Sequence, residues 1–208
     1  NNCVDVEDIL DILKEVYFFD YIESNGKINF LSNKNTTREK IIINENDLVL
    51  FKSNGNETFI KIKESSINNL PKKYQINFID KDLNYDSNFI YSERETNETC
   101  NTIIDTIPVV LDKNKAKNVV ETQLYLEWLK QKEFSFILPF KYIYLEVGDI
   151  VQLHNYDLKI KELYINEDLT INIIANLYDS SIYDNISNKT DITNNIKLQE
   201  DVGNTRLN

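Results

Sequence analysis

His154, within "IVQLHNYDL", is the only histidine in the chain and the first residue to test for chemistry. A general base needs partners held within hydrogen-bond reach. No Ser, Cys or second His stands at a recognisable spacing from it, so it reads as a turn or surface residue. A zinc site would need three or four His, Cys or acidic ligands, and His154 has no companion in the sequence pattern. Glu93/Glu95, Glu167/Asp168 and Glu200/Asp201 offer the two-carboxylate chemistry of hydrolases. Each pair sits in polar sequence, where a carboxylate stays solvated, and nothing there suggests the burial that tunes an acid for catalysis. The four glycines, Gly26, Gly55, Gly148 and Gly203, are isolated, so no phosphate cradle and no GxGxxG or GxSxG turn can be built. Cys3 and Cys100 lack CxxC or Cys/His spacing and read as free thiols in a reducing compartment. No catalytic residue, metal or cofactor is expected.

Aromatic residues are the other candidate. Phe134, Phe136, Phe140, Tyr142 and Tyr144 fall on alternate positions in two stretches, the spacing of one side of a pleated strand. Such a face fills a core or a subunit interface. The alternative is a β-rich module that recognises glycan or peptide through that face.

The elements that would position these residues are legible in outline. "VEDILDILKEVYFF" has helical apolar spacing, with Asp5 as its cap and Glu7 and Asp8 in the first turn. Asn25-Gly26 and Asn54-Gly55 each sit between extended stretches and predict hairpins. "KYQINFID" alternates as a half-exposed strand, and "ERETNETCNT" is a polar boundary or crossing loop. Asp112 caps a helix over about 113–131, with Ala116, Val120, Leu124 and Trp128 on its apolar stripe. "YDLKIKELYI" and "LTINIIANLY" form a further hairpin around Asn166-Glu167-Asp168, and the chain turns polar beyond about residue 180. The expected architecture is α+β: two helices packed on antiparallel strands, with the C-terminal strands forming a small barrel. The expected division is a helix-plus-hairpin part over 1–93, a crossing strand, helix and barrel over 94–180, and a polar tail over 181–208.

The 208 residues carry a net charge of −11, with Lys and Arg interspersed among Asp and Glu. That balance leaves no basic footprint for nucleic acid and repels phosphate backbones. No apolar run is long enough to span a membrane. The chain contains no Met and starts without one, so it reads as a segment of a longer polypeptide.

"IPVVLDKNKAKNVVETQLYLEWLKQKEFSFIL" followed by "LPFKYIYLEVGDIVQL" resembles the tail-hub region of phage tail and gene-transfer-agent baseplate proteins. The matching residues are Pro108, Asp112, Ala116, Trp128, Leu138, Pro139, Tyr142, Leu145, Gly148, Asp149, Ile150 and Val151. "LPKKYQINFIDKDLNYDSNFIYSER", with Tyr85 and the closing Arg94, is similar to the family's upstream element. The resemblance implies a non-enzymatic, ring-forming baseplate or hub component between tail tube and tip. It implies a homotrimer among other tail or baseplate proteins, and the net charge of −11 suggests an acidic lumen through which DNA passes unbound. It also implies assembly in a bacterial cytoplasm and residence in a virion tail. Physically, Pro139 would end one strand, and Gly148-Asp149 would turn the chain into a barrel strand.

Overall fold

The computed structural model describes residues 6–24, 26–33, 40–53, 56–183 and 196–199. In chain order, α1 (Val6–Tyr17) precedes β1 (Phe19–Ser24), β2 (Lys27–Ser32) and the two-residue β3 (Ile41–Ile42). The short strands β4 (Phe51–Ser53), β5 (Asn56–Thr58) and β6 (Ile60–Glu64) lead to β7 (Pro71–Asp80), β8 (Ser87–Arg94) and β9 (Asn101–Leu111). Helix α2 (Lys113–Leu129) is followed by β10 (Lys132–Leu138), β11 (Ile150–Leu153), β12 (Tyr156–Ile165) and β13 (Ile171–Leu177), and β14 (Ile196–Gln199) comes last. The architecture is α+β. Two compact units share the chain discontinuously: residues 1–18, 66–128 and 182–208 form one, and residues 19–65 and 129–181 the other.

In the first unit the sheet order is β14-β8-β7-β9. Central β7 pairs antiparallel with β8 and parallel with β9, a departure from the all-antiparallel expectation. Tyr74, Ile76 and Phe78 alternate onto its buried face as the sequence predicts, and pack with Ile107, Ala116, Val120 and Leu124. Asp112 caps α2, its Oδ1 accepting the Lys115 amide at 2.9 Å. Val119 to Leu124 are all buried, Glu121, Thr122 and Gln123 included, so the middle of α2 is enclosed on every side. Burial pushes the Glu121 carboxyl above its ordinary pKa, partly opposed by Lys117. Gln123 donates its amide to the Glu15 carbonyl at 2.9 Å, tying α2 to α1. Val16 of α1 is buried, whereas Val6 and Ile9 are exposed. Asp5, the expected cap, lies outside the described residues.

In the second unit the sheet order is β3-β11-β12-β13-β10-β6, with β3 parallel to β11 and the other pairs antiparallel. Its core joins Phe134, Phe136, Leu138, Tyr142 and Leu145 to Val151, Leu158, Ile160, Ile171 and Ile173. Ile43 donates to Gln152 O and Val49 to Ile137 O, each at 2.9 Å, so residues 41–49 reach both β11 and β10. Between these contacts a 3-10 turn, Glu45–Asp47, breaks the extended path; Asn44 caps it by accepting the Asn46 amide at 3.0 Å. No continuous ladder therefore closes the sheet among the described residues, and the expected small barrel is an open sheet crossed by one segment.

Other expectations are corrected by this topology. The polar run near 93–102 joins β8 to β9 within one sheet, so the two units do not part there. Strands β1–β6 belong to the second unit, not to the α1 unit. The tail expected from residue 181 begins instead with a 3-10 turn, Ser180–Tyr183, in which Ile182 is buried and the Tyr183 ring lies tilted 5.7 Å from that of Phe18. Ile196–Gln199 then pairs with β8. Strand addition uses main-chain hydrogen bonds, so it can recruit a segment as short as Ile-Lys-Leu-Gln. The hairpins at 25–26 and 54–55 are formed by their flanking strands, although Asn25, Asn54 and Gly55 lie outside the described residues.

Candidate functional site

The residues singled out for chemistry do not converge. His154 occupies the two-residue turn between β11 and β12 with φ +52°, and its Nδ1 lies 2.5 Å from Glu45 Oε1. Glu93 forms an ion pair with Lys72 at 3.2 Å. Asp168 accepts the Thr170 amide at 3.0 Å and its hydroxyl at 2.6 Å, which holds its carboxyl below the usual pKa. Cys100 is a free, exposed thiol. Cys3, Glu200, Asp201 and Gly203 lie outside the described residues. Among the described residues no group of three or more His, Cys, Asp or Glu could hold a metal ion. No helix among them is long and apolar enough to cross a membrane.

The segment 134–151 is where the motif residues gather. Phe134 and Phe136 on β10 are 2% and 0% exposed, so they fill the core rather than present an open aromatic face. Pro139 (φ −72°, ψ 161°) ends β10 and precedes a 3-10 turn, Phe140–Tyr142, which overturns the expectation that Phe140, Tyr142 and Tyr144 continue a strand face. The physical reason is that Pro139 has no N–H for the ladder, and the chain coils at once. Tyr142 faces inward, and its hydroxyl donates to Asp47 Oδ2 at 2.8 Å. Lys141 Nζ meets Asp47 Oδ1 at 2.6 Å; these two bonds, Lys141 first, hold the Asp47 carboxyl below its ordinary pKa. Phe140, Ile143, Tyr144 and Val147 face outward and are exposed, at i, i+3, i+4 and i+7. Gly148 has φ +92°, and its amide donates to Ile160 O at 2.8 Å. Asp149 accepts the Glu146 amide at 2.9 Å, tightening the turn into β11.

The remaining motif residues lie in the first unit, Leu138 excepted, which is wholly buried on β10. Pro108 lies on edge strand β9, inside a register shift in which Asn77↔Thr106 is followed by Ile79↔Val110. Trp128 donates its indole N–H to Pro71 O at 2.9 Å, and the Arg94 guanidinium lies 3.9 Å from its ring centroid. Sequence reasoning missed the residues that meet this scaffold from 40–50, Asp47 above all. Its signal, "NENDLVL", is short and polar and carries no period.

One apolar cleft of about 180 Å³ is lined by Ile60, Ile62, Phe134, Leu153, His154, Tyr156 and Leu158. It holds no convergent polar groups of the kind that orient a substrate. The geometry defines a protein of packing faces and pinned turns.

The chain belongs to the family described as "Putative phage tail protein", whose model matches residues 5–165. The fold is similar to a chain of the virion of a native gene transfer agent particle, with TM-score 0.73 and 14% identity over 91% of this chain and 42% of that one. It is also similar to the tail protein from Neisseria meningitidis MC58, with TM-score 0.52 and 11% identity over 86% of this chain and 58% of that one. The 43 kDa tail protein of prophage MuSo2 from Shewanella oneidensis gives TM-score 0.52 and 9% identity, over 86% and 56%. This chain thus spans less than two thirds of each of those proteins. No curated protein matches it.

Proposed function

We propose that the chain is a structural component of the baseplate or hub of a phage-like, gene-transfer-agent-like tail, assembling as a homotrimeric ring between tail tube and tip. The likeness over 91% of the chain to a component of a gene transfer agent particle carries this reading. The two compact units act as two hub subdomains, and the curled six-stranded sheet with its crossing segment serves as the barrel-like layer of the ring. Pro139, Tyr142, Gly148 and Asp149 shape the turns that present Phe140, Ile143, Tyr144 and Val147 outward. These four exposed side chains meet neighbouring copies, since an apolar patch on a subunit surface marks a contact with another protein. Pro108, Asp112 and Trp128 shape the first unit, and Leu138 anchors the core of the second.

Other tail or baseplate proteins complete the assembly, which forms in a bacterial cytoplasm and ends in a virion tail. The net charge of −11 supports a lumen through which DNA passes unbound. Catalysis has no part in this reading.

Sedimentation velocity on the chain tests it. A discrete trimer that dissociates in the Ile143→Glu/Tyr144→Glu double variant is expected. A wild-type monomer even at high concentration would overturn self-assembly through this patch.

A further inference from the structure

The segment over residues 40–50 is attached to its sheet by few main-chain bonds. Strand β13 is laddered on both sides, to β10 and β12. The segment is held by the two-residue pairing of β3, the Ile43 and Val49 amide bonds, and two buried side chains, Ile43 and Leu48. Two lysine–carboxylate ion pairs and one histidine–carboxylate hydrogen bond then fasten it. Lys40 meets Asp157 at 2.5 Å, Glu45 meets His154 at 2.5 Å, and Asp47 meets Lys141 at 2.6 Å. All three contacts bind it to elements distant in sequence, the β11–β12 hairpin and the turn after β10.

We propose that residues 40–50 form an electrostatically latched strap, which opens as a unit ahead of the sheet it crosses. Each of its three contacts keeps at least one partner well exposed to water, with side-chain exposures of 42% and 30%, 42% and 61%, and 58% and 21%. Exposed pairs are weakened by salt, whereas main-chain ladders in a buried sheet are not. Opening frees the Gln152 carbonyl on β11 and the Ile137 carbonyl on β10, and uncovers the core where Ile43 and Leu48 sit. The strap is therefore the movable part of the seam, and ionic strength sets how often it is open.

Amide hydrogen exchange at single-residue resolution tests this, because local opening is read separately from global unfolding. The probes are the Ile43 and Val49 amides, with the Ile173 and Ala175 amides of β13 as internal reference. Raising sodium chloride is expected to lower protection at Ile43 and Val49 by at least about two-fold relative to the reference, the product of two minimal surface-pair contributions. The Glu45→Gln/Asp47→Asn double variant is expected to start near the high-salt value and respond less to salt. If that variant fails to fold, the salt titration of the unaltered chain still decides. Strap amides that ignore salt, or that change only in step with β13, overturn the proposal.

Discussion

The Arg94 guanidinium lies 3.9 Å from the ring centroid of Trp128, joining the end of β8 to the end of α2 within one unit. The same indole donates to the Pro71 carbonyl at 2.9 Å, so one side chain links the sheet's central strand, its neighbour and the helix. Arg94→Ala is expected to cost about 0.5–1 kcal/mol through the lost cation–π contact. In the Trp128→Phe background, which keeps a weaker ring face, the cost of Arg94→Ala should shrink. Urea denaturation of the four forms in a double-mutant cycle measures the coupling.

Gly148 is held at φ +92° in the turn before β11. A Cβ there would meet only Leu31 and Ile22 methyl carbons at 3.9 and 4.0 Å, which is ordinary contact. The penalty for Gly148→Ala is therefore one of backbone conformation rather than of space, about 1–2 kcal/mol. A denaturation midpoint equal to that of the unaltered chain would show that the turn relaxes freely.

Asp112 caps α2 through the Lys115 amide. Asp112→Ala is expected to destabilise by about 1 kcal/mol, and Asp112→Asn by much less, since asparagine also caps well. Thermal unfolding of the two variants separates lost capping from lost charge.

Glu121 gives a pH-dependent prediction. Its folded-state pKa is raised by burial above the ordinary 4.5, so folding favours the protonated form. The associated stability is fully present below the unfolded value and is lost as pH rises through the raised one. Glu121→Gln is expected to stabilise the chain at neutral pH, and the gain should vanish in acid below about pH 4. Asp47 has the opposite sign: its pKa is lowered by Lys141 and Tyr142, so its contribution stands above the unfolded value and is lost as pH falls through the lowered one. The cost of Asp47→Asn should therefore be visible at pH 7 and disappear in strong acid, read by urea midpoints at both pH values.

Local signals in the sequence were those that a few neighbouring residues determine. The Asp112 cap, the stripe of α2, the turn at Gly148-Asp149 and the alternation of β7 all depend on contacts within a turn or a strand. What escaped was set by distant partners. Tyr142 reads as a strand aromatic until Pro139 removes the ladder donor and Asp47, far away in sequence, supplies a partner for its hydroxyl. Segment 196–199 is too short for its Ile-Lys-Leu-Gln alternation to predict a strand, yet β8 offers it a free main-chain edge. The mixed sheet likewise depends on which edge of β7 receives β9, and a crossing loop of polar residues does not encode that choice.

Electron cryo-microscopy of the assembled species tests the structural-hub account most directly. The account predicts a closed three-fold ring in which neighbouring copies cover Phe140, Ile143, Tyr144 and Val147. Particles in which these side chains face solvent in every copy, or in which the chain remains a lone subunit, would contradict it.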